Sequence, residues 1–254
     1  MTKARNVAEF YEGYNEGDRL FDRPQGRLER ARIQSLITRF MPPPPARVLD
    51  VGGAEGVHSE WMATRGWEVE LFDLTPKHVE AASSVGTFKA ELADARELPR
   101  DNEYADGVAL LGPLYHLCAR EDRMAALRES RRVLRPGGTL LAAAISRYRF
   151  MYEPHPLRDG AARLEFLKQI QSNEGRVVFG DGAEFNAFYH LPHELKGEVE
   201  EAGFCDVRVL AVEGFGWPAG CEPTAENLQA LEILEETDAA LGSTWHFVAA
   251  GRRP

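Results

Sequence analysis

Cysteine is scarce in this chain: Cys118, Cys205 and Cys221 are the only three in 254 residues. None stands in a C-x-x-C pair or beside a histidine at metal-ligand spacing, so neither a disulfide framework nor a structural zinc site is indicated. Long hydrophobic runs are missing too, and the longest fall well short of a membrane span. The opening stretch MTKARNVAEFYEGYNEGDRL has no apolar core of the signal-peptide kind. These absences predict a cytoplasmic protein with no membrane partner. There is no basic excess: 30 Lys and Arg stand against 40 Asp and Glu, a net charge of −10. A phosphate backbone calls for a basic footprint, so DNA is disfavoured as a partner. What is present is ordinary globular composition, 44% hydrophobic and 28% charged, enough for a core in one large domain without covalent or metal staples.

Apolar positions at helical spacing (Phe10, Tyr11 and Tyr14, then Leu28, Ile33, Leu36, Ile37 and Phe40) predict helices across residues 5–40. The run Met41-Pro42-Pro43-Pro44-Pro45 stops them. Beyond it, strand and helix alternate. ARVLDVGG, EVELFDLTP, FKAELADA, GVALLG and TLLAAAIS read as strands; HSEWMATRGW, KHVEAASS and EDRMAALRESRRVLRPGG read as helices, the last closed by Pro136-Gly137-Gly138. Such alternation means βαβ units and a mostly parallel sheet. Residues 147–192 break the rhythm and read as an insertion, with a helix at ARLEFLKQI and a short β segment near EFNAFYHL. HELKGEVEEAGF is then a helix, and CDVRVLAVEGFG and STWHFVAAGRRP are the last two strands. The expected parts are an N-terminal helical cap (1–42), a core (43–146), the insertion (147–192) and the rest of the core (193–254), all in a single domain.

The stretch Val48-Leu49-Asp50-Val51-Gly52-Gly53-Ala54-Glu55-Gly56 places a glycine-rich turn at the carboxyl end of the first strand, where open α/β sheets bind ligands. A tight turn with no ligand is the bland alternative. Asp73 closes the second strand 21 residues after Gly52, near the roughly 20-residue offset of a ribose-binding acid. The glycines do not follow G-x-G-x-x-G, and acidic Glu55 inside the loop is poor company for a pyrophosphate. A ligand without phosphates suits the loop better than a dinucleotide.

That nonapeptide resembles the first motif of class I S-adenosylmethionine (SAM)-dependent methyltransferases. Four more segments resemble later motifs in order: Phe72-Asp73-Leu74-Thr75-Pro76, Ala93-Asp94-Ala95, Leu110-Leu111-Gly112-Pro113-Leu114-Tyr115-His116-Leu117, and Arg132-Val133-Leu134-Arg135-Pro136-Gly137-Gly138. Ala54 departs from the family, which more often has glycine there. The resemblance implies an α/β fold: Rossmann-like, doubly wound, a mostly parallel seven-stranded sheet with an antiparallel last strand, the N-terminal cap, and the insertion as a lid. It also implies SAM as cofactor, S-adenosylhomocysteine as product and no metal. Gly52, Gly53, Ala54 and Gly56 would lie along the methionine part, with Asp50 bracing the loop or meeting the amino group. Asp73 would hold the ribose, with Leu74 beside it, and Asp94 and Ala95 would read the adenine, unless Asp94 is only a helix N-cap. Leu111 and Gly112 would line the cofactor.

Tyr115 and His116 would face the reacting side. His116 and His190 are the candidate bases, with a structural role open for each; Tyr11, Tyr14, Tyr115, Arg147 and Tyr189 are the candidate substrate contacts. Gly112-Pro113-Leu114-Tyr115 stands where methyltransferases of nucleic-acid amines carry an N-P-P-Y-like motif, and no acidic cluster of the magnesium-dependent kind is visible. The function this implies is methyl transfer to O or N of a small molecule. Methylation of RNA or protein, a non-catalytic SAM-binding protein and a nicotinamide-dependent oxidoreductase stay open beside it, as does the oligomeric state.

Overall fold

The computed structural model describes residues 16–149, 160–172, 177–178, 184–185, 187–216 and 220–254. Tyr11, Tyr14 and part of the 147–192 insertion lie outside them. Two cap helices, α1 (Glu16–Asp22) and α2 (Pro24–Phe40), lead into strand β1 (Arg47–Val51). The alternation then runs through α3 (Val57–Ala63), β2 (Glu68–Asp73), α4 (Pro76–Val85), β3 (Lys89–Leu92) and β4 (Ala105–Leu110). It continues with α5 (Pro113–His116), α6 (Arg120–Val133) and β5 (Leu134–Ser146). After α7 (Gly160–Ser172) come three two-residue strands, β6 (Val177–Val178), β7 (Glu184–Phe185) and β8 (Tyr189–His190). The chain closes with α8 (Pro192–Glu201), β9 (Cys205–Ala211), α9 (Ala225–Leu234), α10 (Asp238–Ser243) and β10 (His246–Arg252).

The main sheet has the order β3-β2-β1-β4-β5-β10-β9, in which β10 alone runs against its neighbours. The α/β doubly wound fold with an antiparallel last strand is therefore the one observed. An eighth strand, the short β8, adds to β5 in parallel. Strand side chains alternate between faces, and each face carries its own core. Leu49, Val51, Leu140, Ala142, Phe247 and Ala249 pack with Leu127 of α6 and Leu195 and Val199 of α8. Val48, Leu141, Ala143, Val248 and Ala250 pack with Ile33, Leu36 and Ile37 of α2 and Met62 of α3. A parallel sheet buried on both faces needs strands apolar throughout, which is why runs such as LLAAAI stand out in the sequence.

Three local expectations differ from the structure. Pro136-Gly137-Gly138 is not a turn closing a helix: α6 ends at Val133 and β5 begins at Leu134, which pairs with Ala105 before the register shifts. Helices α9 and α10 were not expected, although Thr224 and Thr237 cap them by accepting from the Asn227 and Ala240 N–H groups. Asp94 caps no helix; it forms an isolated bridge segment with Glu97. Among the described residues no helix is long and apolar enough to cross a membrane.

Candidate active site

The chain leaves β1 toward β2 on one side and returns to β4 on the other, so a crevice opens at the carboxyl ends of β1 and β4, the place where such sheets bind ligands. A cleft of about 200 Å³ lies there. Gly52 bonds through its N–H to the Phe72 carbonyl (2.6 Å) and takes φ +74°. A Cβ on it would strike Pro113 at 2.5 Å, and one on Gly112 would meet the Gly52 oxygen at 3.0 Å. The two loops thus approach closely enough to exclude side chains between them. Ala54 also sits in the left-handed region, at φ +48°, and its N–H donates to Asp73 Oδ2 at 3.0 Å. Gly56 holds φ +86° as the N-cap of α3, where a Cβ would strike Phe88, and it does not line the cleft.

Two carboxylates set the electrostatics. Asp50 is 1% exposed, and its Oδ2 accepts from the Ser59 hydroxyl at 2.7 Å. Its Oδ1 is buried with no partner. Burial pushes this carboxyl up to about 6 despite the Ser59 bond, and the nearby Asp73 charge adds to the rise. Asp73 accepts from the Thr75 N–H (2.8 Å), from Ala54 and from His78 Nδ1 (3.2 Å). Burial would raise it, but these bonds and the His78 charge outweigh burial and hold it below its ordinary range. Gly53, Leu74, Ala95, Leu111 and Gly112 line the same cleft, with Leu74 half-exposed. Asp94 lines it as well, with both oxygens bonded by Arg96.

Tyr115 and His116 also line the cleft, their rings 4.6 Å apart. Arg19, Leu20 and Glu29 of the cap, His58 of α3, Ala143 of β5 and His246 of β10 line it too. Arg19 bonds both oxygens of Glu29, the second at 2.8 Å. Burial opposes ionisation of Glu29, yet Arg19 and His246 bring its pKa down to about 2. His58 is pushed down to about 4, chiefly by burial. His246 Nδ1 lies 2.6 Å from Glu213 Oε1, and Glu213 is wholly buried. Its other oxygen accepts from the Thr244 hydroxyl and from the Trp245 and His246 N–H groups. Burial lowers the His246 pKa, but the Glu213 and Glu29 charges more than compensate and raise it. Glu29, Glu213 and His246 offer donor atoms within 4.8 Å of one another. Within this set the Arg19 guanidinium already pairs both Glu29 oxygens.

Three sequence candidates lie elsewhere. His190 is 0% exposed, its Nε2 3.3 Å from Glu198 and its ring against Phe188. Tyr189 is buried in β8, and its carbonyl accepts from Arg147 Nε at 3.1 Å. Arg147 is buried and commits its guanidinium to Glu194 at 2.7 and 2.9 Å. None of the three lines the cleft. They tie β5, β8 and α8 together, so their expected catalytic and substrate roles are corrected to structural ones. Glu213, His246, His58 and His78 were not read from the sequence. For His246 a signal existed: it opens an antiparallel strand, whose first residue reaches the same sheet edge as the last residues of the parallel strands. Its register partner is Ile145, at the end of β5.

Residues 48–138 match a family described as a methyltransferase domain. An O-methyltransferase of Pyrenophora dematioidea is 32% identical over 124 residues, 45% of each chain. The ubiquinone/menaquinone biosynthesis C-methyltransferase UbiE of Proteus mirabilis is 28% identical over 187 residues, 66% of this chain and 70% of its own. This chain spans about half the length of the first curated relatives it matches. A Thermotoga maritima structure, described as a SAM-dependent methyltransferase and possible histamine N-methyltransferase, has a TM-score of 0.65 at 19% identity. It covers 96% of this chain and 98% of its own. At that identity the likeness concerns the fold.

Proposed function

We propose, from the match of residues 48–138 to a methyltransferase domain, that this chain is a class I SAM-dependent methyltransferase that transfers a methyl group from SAM to a small molecule. The observation that carries this reading is the orphaned Asp50 Oδ1, buried in the cleft beside the Gly52–Ala54 turn. A buried carboxylate oxygen without a partner is costly, and a ligand ammonium would satisfy it. With Asp73 and Glu55 also lining the cleft, its walls suit a cationic nucleoside and repel a pyrophosphate. The same charge pattern disfavours a nicotinamide dinucleotide.

In this reading Asp50 binds the amino group and Asp73, already ionised, receives the ribose hydroxyls. The apolar surfaces of Leu74, Ala95 and Leu111 take the base. The Gly52–Gly112 approach fixes the depth of the donor. A bound sulfonium supplies an activated methyl group, so the protein's work is alignment and exclusion of water. Tyr115 and His116 face the acceptor end, with the cap helices above it. The relatives' names divide between O- and C-methylation, and the small-molecule acceptor is proposed from that company.

The test is twofold. Calorimetry with SAM, S-adenosylhomocysteine and NAD should show binding of the first two only. Radiolabelled methyl transfer to separated metabolite, RNA and protein fractions should place label in the metabolites. NAD binding, or label only in macromolecules, would sink the proposal.

A further inference from the structure

We propose that His78 is a positioning residue for Asp73, holding its carboxylate so that it receives one ribose hydroxyl of the methyl donor and not both. The inference deepens the methyltransferase reading above and rests on it. Asp73 is the last residue of β2, and Thr75 is the N-cap of α4. The chain turns between them, and the Thr75 N–H donates back to Asp73 Oδ1 at 2.8 Å, the local bond that suits aspartate two residues ahead of a turn. His78 stands in the first turn of α4, where its N–H bonds to the Thr75 carbonyl at 3.0 Å. That turn carries the imidazole, 2% exposed, back to the same carboxylate: Nδ1 lies 3.2 Å from Oδ1. The third bond comes from the glycine-rich turn, where Ala54, at φ +48°, gives its N–H to Oδ2 at 3.0 Å.

Burial would pull the Asp73 carboxyl up toward its neutral form, and the bonds from His78, Thr75 and Ala54 outweigh it. Asp73 is therefore an anion before any ligand arrives. A carboxylate has no proton to give, so the ring nitrogen that faces it donates. An ionised carboxylate offers about four acceptor positions, two on each oxygen. Thr75 and His78 fill those of Oδ1, and Ala54 fills one on Oδ2. A single position on Oδ2 is left to a carboxylate that lines the cleft. Two neighbouring hydroxyls cannot both bond to it at full strength, so one is read by Asp73 and the other is not. The backbone donors come with the two turns whatever side chains follow them. The Nδ1 donor depends on the residue type at position 78, which makes His78 the member of the set that decides the count. A histidine that only seated α4 against β2 would affect every ligand of the cleft alike. A positioning residue affects the ligand that carries the hydroxyl and spares the one that lacks it.

The test is calorimetry on the full chain with S-adenosylhomocysteine and its 2′-deoxy and 3′-deoxy analogues, for wild type, D73N, H78L and H78N. In wild type the loss of one of the two hydroxyls should weaken binding about tenfold or more, the scale of a bond to a charged group. That penalty should shrink at least about threefold in D73N and in H78L, as coupled partners require. It should persist in H78N, whose amide N–H stands where the imidazole Nδ1–H stood. The penalty for the other hydroxyl, whatever its size, should be the same in wild type and D73N to within about twofold, as for independent sites. Nitrogen-15 NMR of the ligand-free wild type gives a readout that no variant can spoil by misfolding: His78 Nδ1 should carry a proton at neutral pH. Penalties for both hydroxyls that collapse together in D73N would overturn the proposal, because Asp73 would then take two. A full penalty retained in a folded H78L, a penalty lost in H78N, or an Nδ1 without a proton would overturn it as well. Wild type that binds none of the three nucleosides would overturn the methyltransferase reading and this inference with it. That outcome is distinct from the others, each of which either requires S-adenosylhomocysteine to bind or is read without ligand.

Discussion

Asp50 combines two properties that are rarely found together in a folded chain: complete burial and an unpaired oxygen. Its carboxyl pKa of about 6 makes ligand binding pH-dependent if the ligand brings an ammonium. The carboxylate is the binding form, so affinity for SAM should rise as pH rises through 6 and level off above it. At pH 5, one unit below, the affinity should be about tenfold weaker than at pH 7.5. Asp50→Asn should bind weakly with no such slope, and calorimetry at the two pH values checks both. Asp73 makes a contrasting case. It already accepts three bonds within the protein, so truncation to alanine would disturb the loop as well as the ribose site. Asp73→Asn keeps the shape and removes the charge. It should weaken SAM by about 1.5–3 kcal/mol, the range for hydrogen bonds to charged groups, while circular dichroism stays unchanged. Equal affinity in a folded Asp73→Asn variant would remove Asp73 from the ribose role.

Between elements, a second buried polar cluster lies outside the cleft. Arg123 of α6 and Glu198 of α8 are paired at 2.7 Å and almost wholly buried. Arg123 also lies 3.5 Å over the Phe188 ring and donates to the Leu117 and Cys118 carbonyls. His190 completes the cluster. Removing one partner from such a set leaves a buried charge uncompensated, so Glu198→Ala should cost about 3–5 kcal/mol, read in a denaturant titration. A titration matching wild type would show the cluster to be dispensable. The same cluster explains why His190 reads as a catalytic candidate in the sequence. Residue type and an irregular surrounding sequence are visible along the chain; a buried carboxylate eight residues later on a helix is not. The alternating elements are legible because strands buried on both faces are apolar at nearly every position, as in Val48–Val51 and Leu140–Ile145. Helices α9 and α10 are not, since their signal is a single capping threonine each and their amphipathic pattern is weak. The start of β5 misleads because its pairing to Ala105 is set by a strand thirty residues earlier, whereas Pro-Gly-Gly locally spells a turn.

At the scale of the whole molecule, the site is assembled from pieces with different degrees of legibility. Part of the cleft lining comes from loops at the ends of β1, β2 and β4, where contiguous motifs carry the pattern. The rest of the lining joins the cap, β5 and the reversed strand β10, and only the sheet order brings Glu29, Glu213 and His246 together. Those buried ions also shape stability against pH. Glu29 and Glu198 both titrate near 2 in the fold against 4.5 ordinarily. A depressed carboxylate contributes stability that is present above its unfolded pKa and lost as pH falls through the folded one. Each pair is worth of order 3 kcal/mol on that count. His58, depressed to about 4 from 6.5, acts in the same direction over a higher window: its contribution is full above 6.5 and disappears as pH falls toward 4. Asp50 opposes them, since its raised carboxyl favours the fold below 3.8 and that contribution is lost by about 6. His246 is raised, so its contribution is present below 6.5 and is lost on the alkaline side. The melting temperature of the ligand-free protein should therefore be highest near neutrality. It should decline gently from pH 6.5 to 4.5, where Asp50 offsets His58, and most steeply below 3.8, where Asp50 no longer offsets the two glutamates. A scan at constant ionic strength checks this. A profile that stays flat to pH 3 would mean that the Arg19–Glu29 and Arg123–Glu198 pairs are screened by water in solution. Glu198→Gln should reduce the fall below pH 4.5.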